Sequence, residues 1–122
     1  MRWIAIVDDD PSVLKSLARL LRTRSFNVRT FHSAQQFLSS LSDARPDCLI
    51  LDLQMSEMSG LELQRILARK HIRIPTVIIT AHDEAGMRER CKAAGAIAYL
   101  PKPLQDVSLF AALDAATRGA NN

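Results

Sequence analysis

The stretch Ile4-Ala5-Ile6-Val7-Asp8-Asp9-Asp10 and its counterpart Cys48-Leu49-Ile50-Leu51-Asp52 decide how this chain folds. In each, an unbroken apolar run stops abruptly on carboxylates. Short continuous apolar runs are the pattern of strands buried on both faces, and helix-period segments between them imply that the strands run parallel. The C-terminal ends of parallel strands lie on one edge of their sheet, so Asp8, Asp9 and Asp52 converge there. Three carboxylates meeting at one edge repel one another unless a cation lies between them, and hard oxygen ligands with few neutral partners suit Mg2+ or Mn2+.

Further strand signals fall near 26–31, 75–80 and 96–100, beside those near 3–8 and 48–52, and they alternate with five helix signals. That alternation predicts a doubly wound α/β domain. Asp10 reads as an N-cap and Pro11 as the first residue of the first helix, whose Val13, Leu14, Leu17, Leu20 and Leu21 form the stripe expected to face the sheet. Ser33-Ala34-Gln35-Gln36 and Ser59-Gly60-Leu61-Glu62 have capping-box form and open the second and third helices. The fourth helix is expected from Asp83 to Ala94, with Gly86 inside it and Gly95 ending it, and it carries the poorest apolar stripe. The fifth is expected to bury Leu104, Val107, Phe110 and Leu113. The reading assigns residues 1–118 to one domain and 119–122 to a tail or the start of a linker.

A chain of 122 residues is long enough for one sheet-centred core, and 48% hydrophobic with 24% charged residues is the balance of an ordinary globular domain. No apolar stretch approaches the roughly 20 residues that span a bilayer, and the run from Trp3 to Val7 is too short for a signal peptide, so no membrane partner and a cytoplasmic location are expected. Cys48 and Cys91 have neither metal-ligand spacing nor redox-pair spacing and are read as buried reduced thiols. The formal charge of +3 comes from scattered arginines without interleaved aromatics, so direct nucleic-acid binding is not expected of this chain.

Four blocks, Ile6-Val7-Asp8-Asp9-Asp10, Leu51-Asp52-Leu53-Gln54-Met55 with Met58-Ser59-Gly60, Ile78-Ile79-Thr80-Ala81 and Tyr99-Leu100-Pro101-Lys102-Pro103, occur in order across the whole chain. In these blocks the chain resembles the response-regulator receiver domains of two-component signalling, and in wording the FixJ/NarL branch, whose full-length members carry a DNA-binding output domain. The resemblance implies a flavodoxin-like fold with strand order 2-1-3-4-5. It implies Asp52 as phosphoacceptor, with Mg2+ held by Asp9 directly, Asp8 through water, Asp52 and the backbone carbonyl of Gln54. Lys102 is then the cation against the phosphoryl oxygens, aimed by a junction at Pro103 that is a candidate cis peptide. Thr80 would donate its hydroxyl to the phosphoryl group, Ala81 would leave room for it, and Tyr99 would serve as a switch residue. Gln54 and His82 occupy positions that tune phosphate lifetime.

Two departures from the family pattern stand out. Ser56 replaces a frequent proline and is expected to loosen the turn after Asp52, and Pro101 is expected to stiffen the approach to Lys102 or to alter the partner surface. The expected activity is not enzymatic beyond Mg-dependent self-phosphorylation and self-dephosphorylation. The expected partners are a histidine kinase or phosphotransfer protein, an output domain or protein, and a second copy of the chain in a phosphorylation-dependent homodimer. Two other readings compete: a stand-alone receiver acting by protein contact, and a phosphohydrolase of the haloacid-dehalogenase class. The second fits poorly, because those enzymes place an Asp-x-Asp nucleophile on the first strand. A flavin carrier of flavodoxin type is disfavoured by the acidic loop at Asp9-Asp10, which would repel the flavin phosphate.

Overall fold

A computed structural model describes residues 3–118; the tail assigned to 119–122 lies outside the described residues. Five strands alternate with five helices: β1 (Trp3–Val7), α1 (Pro11–Arg22), β2 (Asn27–Phe31), α2 (Ala34–Ser40), β3 (Cys48–Asp52), α3 (Gly60–Arg69), β4 (Thr76–Thr80), α4 (Met87–Ala93), β5 (Ala96–Pro101) and α5 (Asp106–Arg118). All strands pair in parallel in the order β2-β1-β3-β4-β5, as expected. Strand ends differ from the sequence reading by one residue at most.

Side chains alternate across the sheet, and the alternation divides the core in two. Ile4, Ile6, Cys48, Ile50, Val77 and Ile79 pack with Leu14, Leu17, Leu21, Leu109 and Leu113 of α1 and α5. Ala5, Val7, Leu49, Leu51, Ile78 and Tyr99 pack with Phe37, Leu63, Leu67 and Cys91 of α2, α3 and α4. Both cysteines are free and buried. Every residue of β3 and β4 is buried, which is why those strands show no polar alternation.

The helix starts follow local chemistry. The Asp10 side chain accepts from the Ser12 backbone N–H with Pro11 in the first turn. Ser59 and Glu62 form a complete capping box. At α2 only half of one is present: Ser33 accepts from Gln36, whereas the Gln36 side chain reaches back to the N–H of His32.

Two helix expectations need correction. Helix α4 begins at Met87 and not at Asp83, because Gly86 adopts a left-handed backbone with φ of 82° and stands as its N-cap. Residues 81–86 therefore belong to the loop between β4 and α4. Val107 is not on the buried stripe of α5; it is 83% exposed, while Leu109, Phe110, Leu113, Ala116 and Thr117 are buried. At 100° per residue Val107 lies roughly 120° round the helix from the centre of that stripe, and Leu104 precedes the helix.

Candidate functional site

Register places the acids together. Val7 is opposite Leu51, so Asp8 follows β1 beside Asp52 at the end of β3. Asp8 continues the side-chain parity of Ile4 and Ile6, and Asp52 that of Cys48 and Ile50, so both emerge on the α1/α5 side of the sheet edge. Asp8 and Asp52 are buried, at 1% and 4% exposure, and Asp9 is exposed in the loop beyond β1. The three residues bring one carboxylate oxygen each within 4.8 Å of one another.

Each acid is held differently. Asp8 Oδ1 accepts from the Asp10 backbone N–H at 2.9 Å. Asp9 Oδ2 accepts from the backbone N–H of Ser56 at 3.1 Å. A proline at position 56 has no N–H to give, so the departure expected to loosen this turn also ties it to Asp9. Asp52 Oδ1 is buried with no hydrogen bond of good geometry.

Lys102 reaches into the cluster from the end of β5. Its backbone N–H bonds the Thr80 carbonyl at 2.7 Å, which fixes its origin, and the following Lys102–Pro103 peptide is cis. Its Nζ lies 3.1 Å from Asp8 Oδ2 and 3.4 Å from Asp52 Oδ1. Burial opposes the ammonium charge, but the facing Asp52 and Asp8 carboxylates outweigh it and hold the lysine above its ordinary range. Asp52 is pushed up to about 6, chiefly by burial and then by the charge of Asp8, with Lys102 pulling the other way. Three carboxylates and one ammonium leave two formal negative charges, which one divalent cation cancels. The hard oxygen donors, their spacing and the buried Asp52 oxygen, which has the 3.4 Å ion pair but no hydrogen bond, all fit Mg2+.

Thr80 has the opposite parity, that of Thr76 and Ile78, and faces the side of α3 and α4. It is fully buried, and its hydroxyl lies 2.8 Å from Gln54 Oε1 and 2.9 Å from the His82 carbonyl. In this structure the Thr80 hydroxyl is thus bonded away from Asp52. Ala81 and the His82 side chain are exposed in the loop that follows. Tyr99 shares the α4 side. It is 2% exposed, and the Arg88 guanidinium of α4 lies 4.9 Å from its ring centroid and 3.4 Å from its carbonyl. The Tyr99 hydroxyl is pushed up to about 12 by burial and then by nearby Asp83, without a well-formed hydrogen bond to it.

Three contributors were not singled out from sequence for these roles. Gly60 opens α3 against the end of β3: a Cβ on it would meet the Asp52 carbonyl oxygen at 2.6 Å. A glycine at the first position of an otherwise good helix is the signal that points to such a close approach. The Gln54 side chain, as distinct from its carbonyl, bonds Thr80. Arg88 covers Tyr99, and nothing in an arginine on an amphipathic helix announces that.

The chain matches the family model for the response regulator receiver domain over residues 4–114. It is 40% identical over 115 residues to the response regulator protein TmoT of Ectopseudomonas mendocina, covering 94% of this chain and 52% of that protein. It is 39% identical over 114 residues to the transcriptional regulatory protein FixJ of Rhizobium meliloti, covering 93% and 56%. The chain spans about half the length of these curated relatives. Among solved structures it is similar to FixJ-N, with a TM-score of 0.89 at 37% identity over 97% of this chain and 94% of that one. It is also similar to a response regulator receiver protein from Burkholderia phymatum, with a TM-score of 0.84 at 44% identity over 95% and 94%. Sheet order, acid cluster and similarity agree, and the chain belongs to the response-regulator receiver domain family.

Proposed function

We propose that this receiver accepts a phosphoryl group on Asp52 from a phosphohistidine of a histidine kinase or phosphotransfer protein. The observation that carries the reading is Lys102 Nζ set between the buried carboxylates of Asp8 and Asp52. In the transfer, an Asp52 oxygen attacks phosphorus, the P–N bond of the donor breaks, and the imidazole leaves with its electron pair and is reprotonated. Asp8, Asp9, Asp52 and the Gln54 carbonyl would hold Mg2+, which when bound supplies positive charge to the phosphoryl oxygens. Lys102 supplies the second positive charge and shifts its partnership from Asp52 toward the new dianion. The protein acts as a signalling module whose own chemistry is limited to gaining and losing this group.

The acyl phosphate offers Thr80 a charged acceptor, so the state with Thr80 turned toward Asp52 gains contacts that the resting state lacks. Thr80 and Tyr99 both face α4, and α4 buries only Cys91. The output surface is therefore α4 with β5, and a bias of about 1–3 kcal/mol there changes partner affinity about 5- to 150-fold. The output is a separate module, transcriptional by analogy with FixJ, and phosphorylation favours a homodimer through this face. The charge pattern supports protein partners over nucleic acid for this domain, and among the described residues no helix is long and apolar enough to cross a membrane; the expected location is the cytoplasm.

The test is intact mass after incubation with a small acyl-phosphate donor and Mg2+. One phosphoryl adduct on the native chain, absent in Asp52→Asn and with chelator, is expected. A folded, Mg2+-binding chain that takes no adduct would instead support a receiver that signals by binding alone.

A further inference from the structure

We propose that the Gln54 side chain is a latch on the switch: before phosphorylation its amide closes a ring of three hydrogen bonds that engages the Thr80 hydroxyl, so that turning Thr80 toward Asp52 requires the ring to open. The proposal rests on Asp52 as phosphoacceptor and adds the residue that sets how readily the switch is thrown.

The ring is complete in donors and acceptors. Thr80 Oγ1 donates to Gln54 Oε1 at 2.8 Å, Gln54 Nε2 donates to the His82 carbonyl at 3.3 Å, and the His82 N–H donates back to Thr80 Oγ1 at 3.1 Å. The His82 carbonyl also lies 2.9 Å from Thr80 Oγ1, yet a hydroxyl has one proton. Placing that proton on Gln54 leaves the carbonyl to the Gln54 amide, and every member then has a partner. The amide orientation follows, because a carbonyl accepts only from the nitrogen end. Bonds arranged head to tail in this way polarise one another and strengthen the set.

Burial gives the ring its weight. Thr80 is fully buried, so without Gln54 its hydroxyl has no water to turn to and only the His82 carbonyl at 2.9 Å, which has then also lost the Gln54 amide. Gln54 comes from the loop after β3 and His82 from the loop after β4, which makes the ring a staple between the two loops that flank the phosphoacceptor. A phosphoryl oxygen is a charge-assisted acceptor and a stronger one than an amide oxygen. It draws the Thr80 proton away from Gln54, and the staple opens as the switch closes. Gln54 is in this account a positioning residue, acting on Asp52 chemistry only through Thr80.

The test uses the full chain with Gln54→Leu, Gln54→Met, Thr80→Val and the Gln54→Leu/Thr80→Val double variant. Two quantities are read: exchange of the His82 amide proton with water in the metal-free protein by NMR, and affinity for beryllofluoride, an inorganic phosphoryl analogue, in Mg2+. The latch predicts faster His82 exchange in both Gln54 variants and in Thr80→Val. It predicts beryllofluoride binding tightened about threefold to tenfold by Gln54→Leu, and no further effect of that change once Thr80 is valine. Unchanged His82 exchange in the Gln54 variants overturns the latch. So does a Gln54→Leu effect on beryllofluoride that persists in the Thr80→Val background, which would make Gln54 a steric screen. A native chain that takes no beryllofluoride overturns the phosphoacceptor reading instead, and the His82 measurement then still decides the latch.

Discussion

Gly60→Ala puts a methyl group where the structure has none to spare. The added carbon would stand 2.6 Å from the Asp52 carbonyl oxygen, 3.1 Å from Leu53 Cα and 3.2 Å from the Asp52 carbonyl carbon. All three neighbours are backbone, so no side chain can swing aside. The Gly60 N–H also bonds the Leu53 carbonyl at 3.0 Å, which ties the helix start to the same residues. Opening the closest contact to a distance that real side chains tolerate moves α3 or the end of β3 by about 0.4 Å or more. Overpacking of this kind costs about 1–3 kcal/mol, against a helix-propensity gain from alanine of at most about 1 kcal/mol. A net loss of about 1–2 kcal/mol is expected in urea unfolding. Because the strain falls on the Asp52 peptide, the proposed phosphorylation by a small acyl phosphate should slow about tenfold. Unchanged or greater stability, with a phosphorylation rate within about twofold of native, would show that the α3–β3 junction has room for the methyl group.

Lys102→Met leaves the buried Asp8 and Asp52 without their shared cation. In the absence of metal the chain should lose about 1–3 kcal/mol, less than a fully buried pair because the lysine is 23% exposed; saturating Mg2+ should restore most of this in urea titrations while binding more tightly than to the native chain. Although it faces Lys102, Asp52 gives a pH dependence of opposite sign to that of an acid governed by its ion pair, because burial and the charge of Asp8 outweigh the lysine. Its value of about 6 lies above the unfolded one, so the contribution of Asp52 to metal-free stability is full below about pH 4 and is lost, by up to about 3 kcal/mol, as pH rises through 6. The native minus Asp52→Asn stability difference across that window isolates the effect, and a flat or rising difference would contradict it. Arg88→Ala should cost about 0.5–1 kcal/mol by uncovering the Tyr99 ring, and the loss should shrink in a Tyr99→Leu background, which keeps only the Arg88 bond to the residue 99 carbonyl. In the native chain the single tyrosine should ionise only near pH 12 in an ultraviolet titration.

The elements legible in the sequence were those governed by local patterns. Continuous apolar runs marked β1, β3 and β4, and their acidic stops placed Asp8 and Asp52 at one edge of the sheet; that both emerge on the same face follows from the register of β1 on β3. Asp10-Pro11 and the Ser59 capping box marked helix starts because their bonds span only two or three residues. Gly86 was misread as a helix interior because its left-handed backbone is set by the loop that turns from β4 into α4. Val107 was misread because two apolar residues three apart, Val107 and Phe110, mimic a stripe that the sheet covers only from Leu109 onward. The Gln54 ring and the Gly60 contact depend on loops brought together by the sheet, with 26 residues separating Gln54 from Thr80. No short-range pattern encodes contacts of that kind.

In the proposed function one buried carboxylate, Asp52, carries the phosphoryl group. Acyl phosphates are reduced by borohydride, so treating the phosphorylated chain with borohydride converts the modified aspartate to homoserine, which peptide mass spectrometry locates. Homoserine is expected at position 52 alone, dependent on Mg2+ and on phosphorylation. Homoserine at Asp8 or Asp9 with position 52 unmodified would contradict it.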